Sequence, residues 1–203
     1  MEIATYKPLP AEFYTRTDVV QVAKDLLGKV LYTSFDNEIT SAVIVETEAY
    51  AGITDRASHA YNNRRTPRTE IMYKEGGYAY VYLCYGIHSL FNIVTSVKDD
   101  PQAVLIRGIL PLQGEENMKR RMNKEVILPE NGIGPGNVSR LLGIQVAHTG
   151  MSLLPEHEEK TRIWLQDEGE FFTESEIITS QRIGVGYAGE DARLPYRFQL
   201  IKR

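Results

Sequence analysis

The sequence predicts an α+β protein: a single domain with a curved, largely antiparallel β-sheet flanked by α-helices. Three observations predict it. Segments alternating with the period of two typical of strands outnumber those with the 3.6-residue period of helices. The two kinds are mixed without a regular βαβ rhythm, and two adjacent strand candidates are joined by only "DNE". With 203 residues, 42% apolar and 25% charged, the chain has ordinary globular usage and suits one compact domain over 1–203.

Each element follows in order. "TDVVQVAKDLLGK" spaces Val19, Val22, Ala23, Leu26 and Leu27 along one face, with Asp18 at its start and Gly28 as its stop, which predicts an amphipathic helix. Val30–Phe35 and Thr40–Glu48 alternate and form a predicted hairpin. Strands are predicted at Tyr78–Leu83, Leu90–Ser96 and Ala103–Arg107, with helices near Gly114–Lys124 and Val138–Leu142. Later strands are predicted at Thr161–Gln166, Ile183–Tyr187 and Arg197–Ile201. "LPENGIGPGN" is the most loop-like stretch; its glycines suit either a tight turn or backbone N–H groups offered to a phosphate.

The formal charge of −4 gives no global pull toward nucleic acid. Two local basic clusters stand out, "NNRRTPR" and "MKRRMNK"; taken alone, these charges read as two solvated faces rather than as a binding site. The longest apolar runs fall far short of a membrane span, and no apolar segment follows a basic N-terminus, so a soluble intracellular protein is expected. The single cysteine, Cys84, excludes an internal disulfide and a cysteine zinc cluster.

Two stretches carry candidate chemistry. In "AVIVETEAY" the period of two sends Ile44, Glu46, Glu48 and Tyr50 to one face, so that Glu48 and Tyr50 emerge together at a strand end before a glycine-containing loop. In "GGYAYVYLCYGIH" the tyrosines Tyr78, Tyr80 and Tyr82 share a face, either as a half-buried sheet surface or as a stacking platform for a planar ring. Tyr85, before Gly86, has the opposite parity and projects from a turn. His59 lies in a polar loop, and His88, His148 and His157 are scattered, so no metal-ligand spacing and no Ser–His–Asp signature is present. These residues alone support an α+β protein binding an aromatic ligand.

Together, "AKDLLGKVL", "VETEAY" followed by "D-x-A-x-H", "TPR", "YVYLCYG" with Asn92 beyond it, "AVLIRG", "GPG" and "RIGVGYAGEDARLPYRF" resemble the alkyladenine (3-methyladenine) DNA glycosylases along nearly the whole chain. The resemblance implies an enzyme that rotates damaged purines out of duplex DNA and hydrolyses the N-glycosidic bond to leave an abasic site. It implies no cofactor and no metal, a partner in damaged double-stranded DNA, and action as a monomer without a membrane. By resemblance Glu48 is the general base, and Arg107 and the Val185 carbonyl hold the attacking water. Tyr50, His59 and Tyr82 wall the base pocket, and Asn92 excludes normal guanine. Tyr85 fills the gap in the duplex, while Arg64, Thr66 and Arg68 hold phosphates. Glu46 reads as a structural partner within the strand end. Asn137 stands where the family usually has a lysine after the Gly-Pro pair, and Ile87 and His88 flank the wedge where family members vary. Two rival readings are a non-catalytic damage-recognition module, favoured if Glu48 or Arg107 were replaced, and a small-molecule nucleoside hydrolase, which would lack the wedge and the basic loop.

Overall fold

The computed structural model describes residues 7–154, 161–168 and 172–201, so His157 lies outside the described residues. The strands are β1 (Lys7–Pro8), β2 (Val30–Phe35), β3 (Glu38–Tyr50), β4 (Ala79–Cys84), β5 (His88–Thr95), β6 (Gln102–Gln113), β7 (Arg162–Asp167), β8 (Ile177–Ser180) and β9 (Arg197–Leu200). The α-helices are α1 (Ala11–Tyr14), α2 (Val19–Asp25), α3 (Glu115–Met122) and α4 (Pro135–Leu142). All strand pairs are antiparallel and run β1-β7-β2-β3-β6-β5-β4, with β8 on β9 and β9 on β3. This is the curved α+β architecture the sequence predicts. Among the described residues, no helix is long and apolar enough to cross a membrane.

Local chemistry explains the elements that frame the site. Asp18 caps α2 by accepting the Gln21 N–H at 3.0 Å, and Gly28 supplies the left-handed φ of +81° beyond its end. The helix buries Val19, Val22 and Ala23, followed by Leu26 and Leu27, in one cluster with residues of α3, α4 and the sheet. Each of the larger side chains contributes roughly 1.5–3 kcal/mol by leaving water. The link between β2 and β3 is shorter than the predicted "DNE": Phe35 pairs with Glu38, and Asp36 and Asn37 take φ of 53° and 64°. Two residues at positive φ make the type I′ geometry that matches strand twist, and Asp and Asn tolerate it.

The alternation predicted for β3 does not hold along its length. Ile44 pairs with Ile109, Glu46 with Gly108 and Thr47 with Ile106, so each strand carries one extra residue at this point. The register recovers, but the parity of both strands reverses. Ala42 and Ile44 face the main core before the bulges, and Ala49 does so after them; Thr47 also turns inward, donating to the Ala23 carbonyl at 2.8 Å. Glu46, Glu48 and Tyr50 therefore share a face, whereas Ile44 lies on the opposite one, contrary to the sequence expectation. The edge of β3 changes partner at the same place, since β2 pairs as far as Val43 and β9 takes over at Glu46–Glu48.

A second correction concerns Ile183–Tyr187, which forms no strand. Gly184 takes φ +78°, and a helical turn begins at Gly186, so the apolar alternation of Ile183, Val185 and Tyr187 is that of a bent loop. The remaining predicted elements occur with shifted ends; β6 is longer than Ala103–Arg107, and α4 begins at Pro135, with the proline at a first-turn position where its missing N–H costs nothing.

Candidate active site

The tyrosine face of β4 builds the floor of a pocket. Ala79 and Val81 enter the main core, while Tyr80 on the other face packs with Ala60, Met72, Val94 and Ala103, and Tyr78 and Tyr82 rest on that cluster. The loop after β3 brings His59 over this floor. Its ring meets Tyr82 edge-on, with centroids 4.7 Å apart at 78°. His59 Nδ1 lies 2.8 Å from the Tyr80 hydroxyl, and Nε2 lies 3.4 Å from Arg68 Nη2. A guanidinium only donates, so this network assigns the proton to Nδ1. Burial, with Arg68 and Arg64 nearby, pushes the imidazole down to about 4, and it is neutral at pH 7.

Asn92 closes the pocket from β5. Its Nδ2 donates to the Tyr80 and Leu90 carbonyls at 3.1 and 3.2 Å, which fixes the amide plane. The inner cavity, bordered by Tyr50, His59, Tyr82, Asn92 and Tyr187 among others, encloses about 30 Å³, room for little more than a water molecule. A groove of about 400 Å³ lies outside it, lined in part by Tyr85, Leu105, Arg107, Val185 and the start of α4. Tyr50, Tyr82 and Tyr187 border both spaces, so a planar ring entering from the groove passes between them.

Glu48 sits beneath this boundary with no exposed surface. Oε2 accepts the Tyr50 hydroxyl at 2.9 Å, Oε1 accepts the Ile183 N–H at 2.8 Å, and Arg107 Nε lies 3.5 Å from Oε1. Tyr50, Arg107 and Ile183 all line the groove, so the carboxylate lies one side chain below its floor. Burial pushes the Glu48 carboxyl up, Glu46 adds to this, and Arg107, the Ile183 N–H and the Tyr50 hydroxyl pull it back, leaving it above the usual carboxylate range. Burial, followed by the Glu48 charge, pushes the Tyr50 phenol well up, so it remains a donor. Glu46 is also buried; it accepts Arg197 Nε at 2.6 Å and forms an ion pair with Arg107, whose Nε lies 3.0 Å from Oε1, the structural partnership expected of it.

The other predicted residues lie around this centre. The Val185 carbonyl accepts the Ala188 N–H at 2.9 Å and keeps a second lone pair. Tyr85 tips the β4–β5 hairpin, 90% exposed at a φ of 51°; an exposed aromatic held at positive φ is uncommon and points to function. Arg68 folds back over the Tyr82 ring at 4.8 Å. Thr66 is tied to Thr69, and Arg64 is exposed nearby, whereas Arg65 is held by Glu70 and Asp99. Asn137 turns its amide back to the Ile133 carbonyl at 2.9 Å. Among the described residues, no group of three or more His, Cys, Asp or Glu side chains is arranged to hold a metal ion.

Sequence reasoning missed Ile183, Arg182, Asp55 and Tyr187. Asp55 and Arg182 form a buried ion pair, the kind whose rupture costs roughly 3–5 kcal/mol because a charge is left uncompensated. Both stand inside the motifs quoted above, but nothing local shows that they meet.

A buried carboxylate held by an arginine and a tyrosine, beneath aromatic walls and beside an exposed aromatic hairpin, is the equipment of a hydrolase that acts on a ring drawn out of a longer ligand. The sequence pattern of the methylpurine-DNA glycosylase family (MPG) matches residues 12–203, and the chain belongs to that family. It is similar to proteins provisionally named 3-methyladenine DNA glycosylase in Chlamydia abortus (45% identity, 95% of this chain and 97% of the relative) and Bdellovibrio bacteriovorus (42%, 95% and 94%). A relative in Clostridium novyi carries the same provisional name (40%, 96% and 95%). The protein is a DNA glycosylase of DNA repair, a hydrolase of the 3-methyladenine class.

Proposed function

We propose that the protein is a monofunctional glycosylase for alkylated and deaminated purines, including 7-methylguanine, hypoxanthine and ethenoadenine beside 3-methyladenine, acting as a monomer in the cytoplasm at the nucleoid. The observation that carries this is Glu48, buried beneath the groove floor and held by Tyr50, Ile183 and Arg107. A small displacement of the half-buried Tyr50 or Arg107 admits one water to the carboxylate. That water, held by Glu48, Arg107 and the Val185 carbonyl, attacks the sugar C1′. The C1′–N bond breaks, its electron pair goes to the purine, and the water's proton goes to Glu48. A ring-methylated purine such as 3-methyladenine or 7-methylguanine is cationic before cleavage and leaves neutral, so one carboxylate suffices where most glycosidases need two, whereas hypoxanthine and ethenoadenine, neutral before cleavage, need a proton from another donor as they leave.

Selectivity follows from the walls. The faces of Tyr50 and Tyr82 favour a cationic ring, neutral His59 adds no repelling charge, and the fixed Asn92 amide crowds the 2-amino group of guanine, a penalty that 7-methylguanine, which keeps that group, offsets by its positive charge. Tyr85 enters the gap in the duplex, and Arg64, Thr66 and Arg68 meet phosphates on one local face of an acidic protein. Single-turnover release of free base from duplexes carrying 7-methylguanine or hypoxanthine, with chelator present, tests the reading. Wild type should release base, and Glu48→Gln should bind the lesion yet excise at least about two orders of magnitude more slowly. Equal rates for the two proteins would remove Glu48 from the mechanism, and lesion binding without release by wild type would favour a recognition module.

A further inference from the structure

The loop after β3 and the loop before β9 meet at the ion pair of Arg182 and Asp55, whose side chains are 0% and 1% exposed. Arg182 Nη1 donates to Asp55 Oδ2 at 2.5 Å and to the Ala49 carbonyl at 2.8 Å. Nη2 donates to Asp55 Oδ1 at 2.8 Å and to the Asp191 carbonyl at 3.2 Å. The guanidinium lies against two rings, 4.8 Å from the centre of Tyr50 and 5.3 Å from that of Tyr196. Asp55 in turn accepts the N–H groups of Ala51 and Ala57 at 3.0 and 2.9 Å.

We propose that the Arg182–Asp55 pair is the positioning element of the active site, setting residues 183–187 against residues 49–59 so that both loops present their groups to one reacting centre. The inference rests on the glycosylase reading above. Ile183, whose N–H holds Glu48, follows Arg182 directly, and Val185 is two residues further on. Tyr50 is stacked by the guanidinium itself, and His59 lies four residues beyond Asp55. A rotation of Arg182 would therefore shift the base, the water-holding carbonyl and one pocket wall together.

Among the described residues, two other side-chain hydrogen bonds join the loops, Arg56 N–H to Asp191 Oδ2 at 2.8 Å and the Tyr187 hydroxyl to the Ala57 carbonyl at 3.1 Å. Both involve exposed residues. The buried Ala57, Val185 and Ala188 beside the pair add apolar contact, which fixes distance but not direction. Of these polar links between the loops, the Arg182–Asp55 pair is the one with both side chains sealed from water among the described residues, so it escapes dielectric and salt screening. Its two parallel N–H···O bonds fix orientation as well as distance, which the single ammonium of a lysine cannot do.

The test uses Asp55→Asn, Arg182→Lys and the double variant Asp55→Leu/Arg182→Met. Single-turnover base release from a 7-methylguanine duplex is normalised to the fraction of protein that binds that duplex, and thermal unfolding is measured beside it. The double variant removes both charges together, so neither is left uncompensated in the interior, and normalising to the binding-competent fraction separates slower excision from any loss of folded protein. All three should excise about 100-fold more slowly per binding-competent molecule, the loss expected of a displacement of about 1 Å, while lesion affinity changes less than about tenfold. Wild-type rates per competent molecule, with only the melting temperature or the competent fraction lowered, would reduce the pair to a fold element and overturn the proposal. If wild type itself releases no base, the glycosylase reading fails and this inference fails with it.

Discussion

Removing one oxygen atom, by Tyr50→Phe, isolates the electrostatics of the proposed base. The Tyr50 hydroxyl donates to Glu48 Oε2 at 2.9 Å; phenylalanine deletes that donor and keeps the ring against the Arg182 guanidinium. A hydrogen bond to a charged group contributes roughly 1.5–3 kcal/mol, which is about one to two orders of magnitude in the ratio of ionised to protonated Glu48. The sign is fixed by the surroundings: burial and Glu46 already push the carboxyl up against Arg107, the Ile183 N–H and this hydroxyl, so deleting the hydroxyl raises it further. Single-turnover excision from a 7-methylguanine duplex, followed from about pH 5 to about pH 9, should be about 10- to 100-fold slower than wild type on the acid limb. It should converge on the wild-type rate at high pH, where Glu48 ionises in both proteins. Lesion affinity should hold, because the stacking face is intact. A uniform loss at every pH would assign the hydroxyl to substrate contact, and an unchanged profile would refute Glu48 as the base.

Three further outcomes are expected. Tyr85→Ala should weaken binding to a lesion duplex, measured by fluorescence anisotropy, since the exposed ring contributes stacking of roughly 1–3 kcal/mol; equal affinities would argue against a wedge. Affinity for undamaged duplex should fall steeply with salt, and Arg64→Ala should flatten the log–log slope by about one unit, whereas an unchanged slope would place that charge off the phosphates. His59 is held at about 4 in the fold against 6.5 when free, so it binds fewer protons folded than unfolded. Its contribution, at most about 3 kcal/mol, is present above about pH 6.5 and lost as pH falls through about 4. Urea unfolding at neutral and acid pH should show this loss, with a shallower dependence in His59→Gln; identical pH dependence in the two proteins would contradict a buried neutral imidazole.

Much of the fold was legible because its signals are local. The α2 cap, the glycine stop and the tyrosine face of β4 each depend on residues a few positions apart. Glu48, Tyr50, His59, Tyr82, Asn92 and Arg107 do converge, as the motifs implied. Three features were hidden for physical reasons. The bulges at Val45–Glu46 and Arg107–Gly108 arise from pairing between distant strands, and neither carries a glycine signal on the β3 side. The ion pair joins residues 127 positions apart, and the Ile183 contact uses a backbone N–H, which every residue but proline possesses. Ile183–Tyr187 misled because its alternation imitates a strand, although its glycines already allowed the bend.

The matched bulges of β3 and β6 also bear on how this enzyme tolerates change. Because one extra residue on each strand turns Glu46, Glu48 and Arg107 out of the core, the face they occupy is set by a tally of positions. Substitutions at Val45, half-buried in the bulge, should be accepted broadly, whereas deleting that one residue would drive both glutamates toward the apolar interior. Libraries that vary length at this point would therefore report on the enzyme's architecture more sharply than libraries that vary side-chain identity.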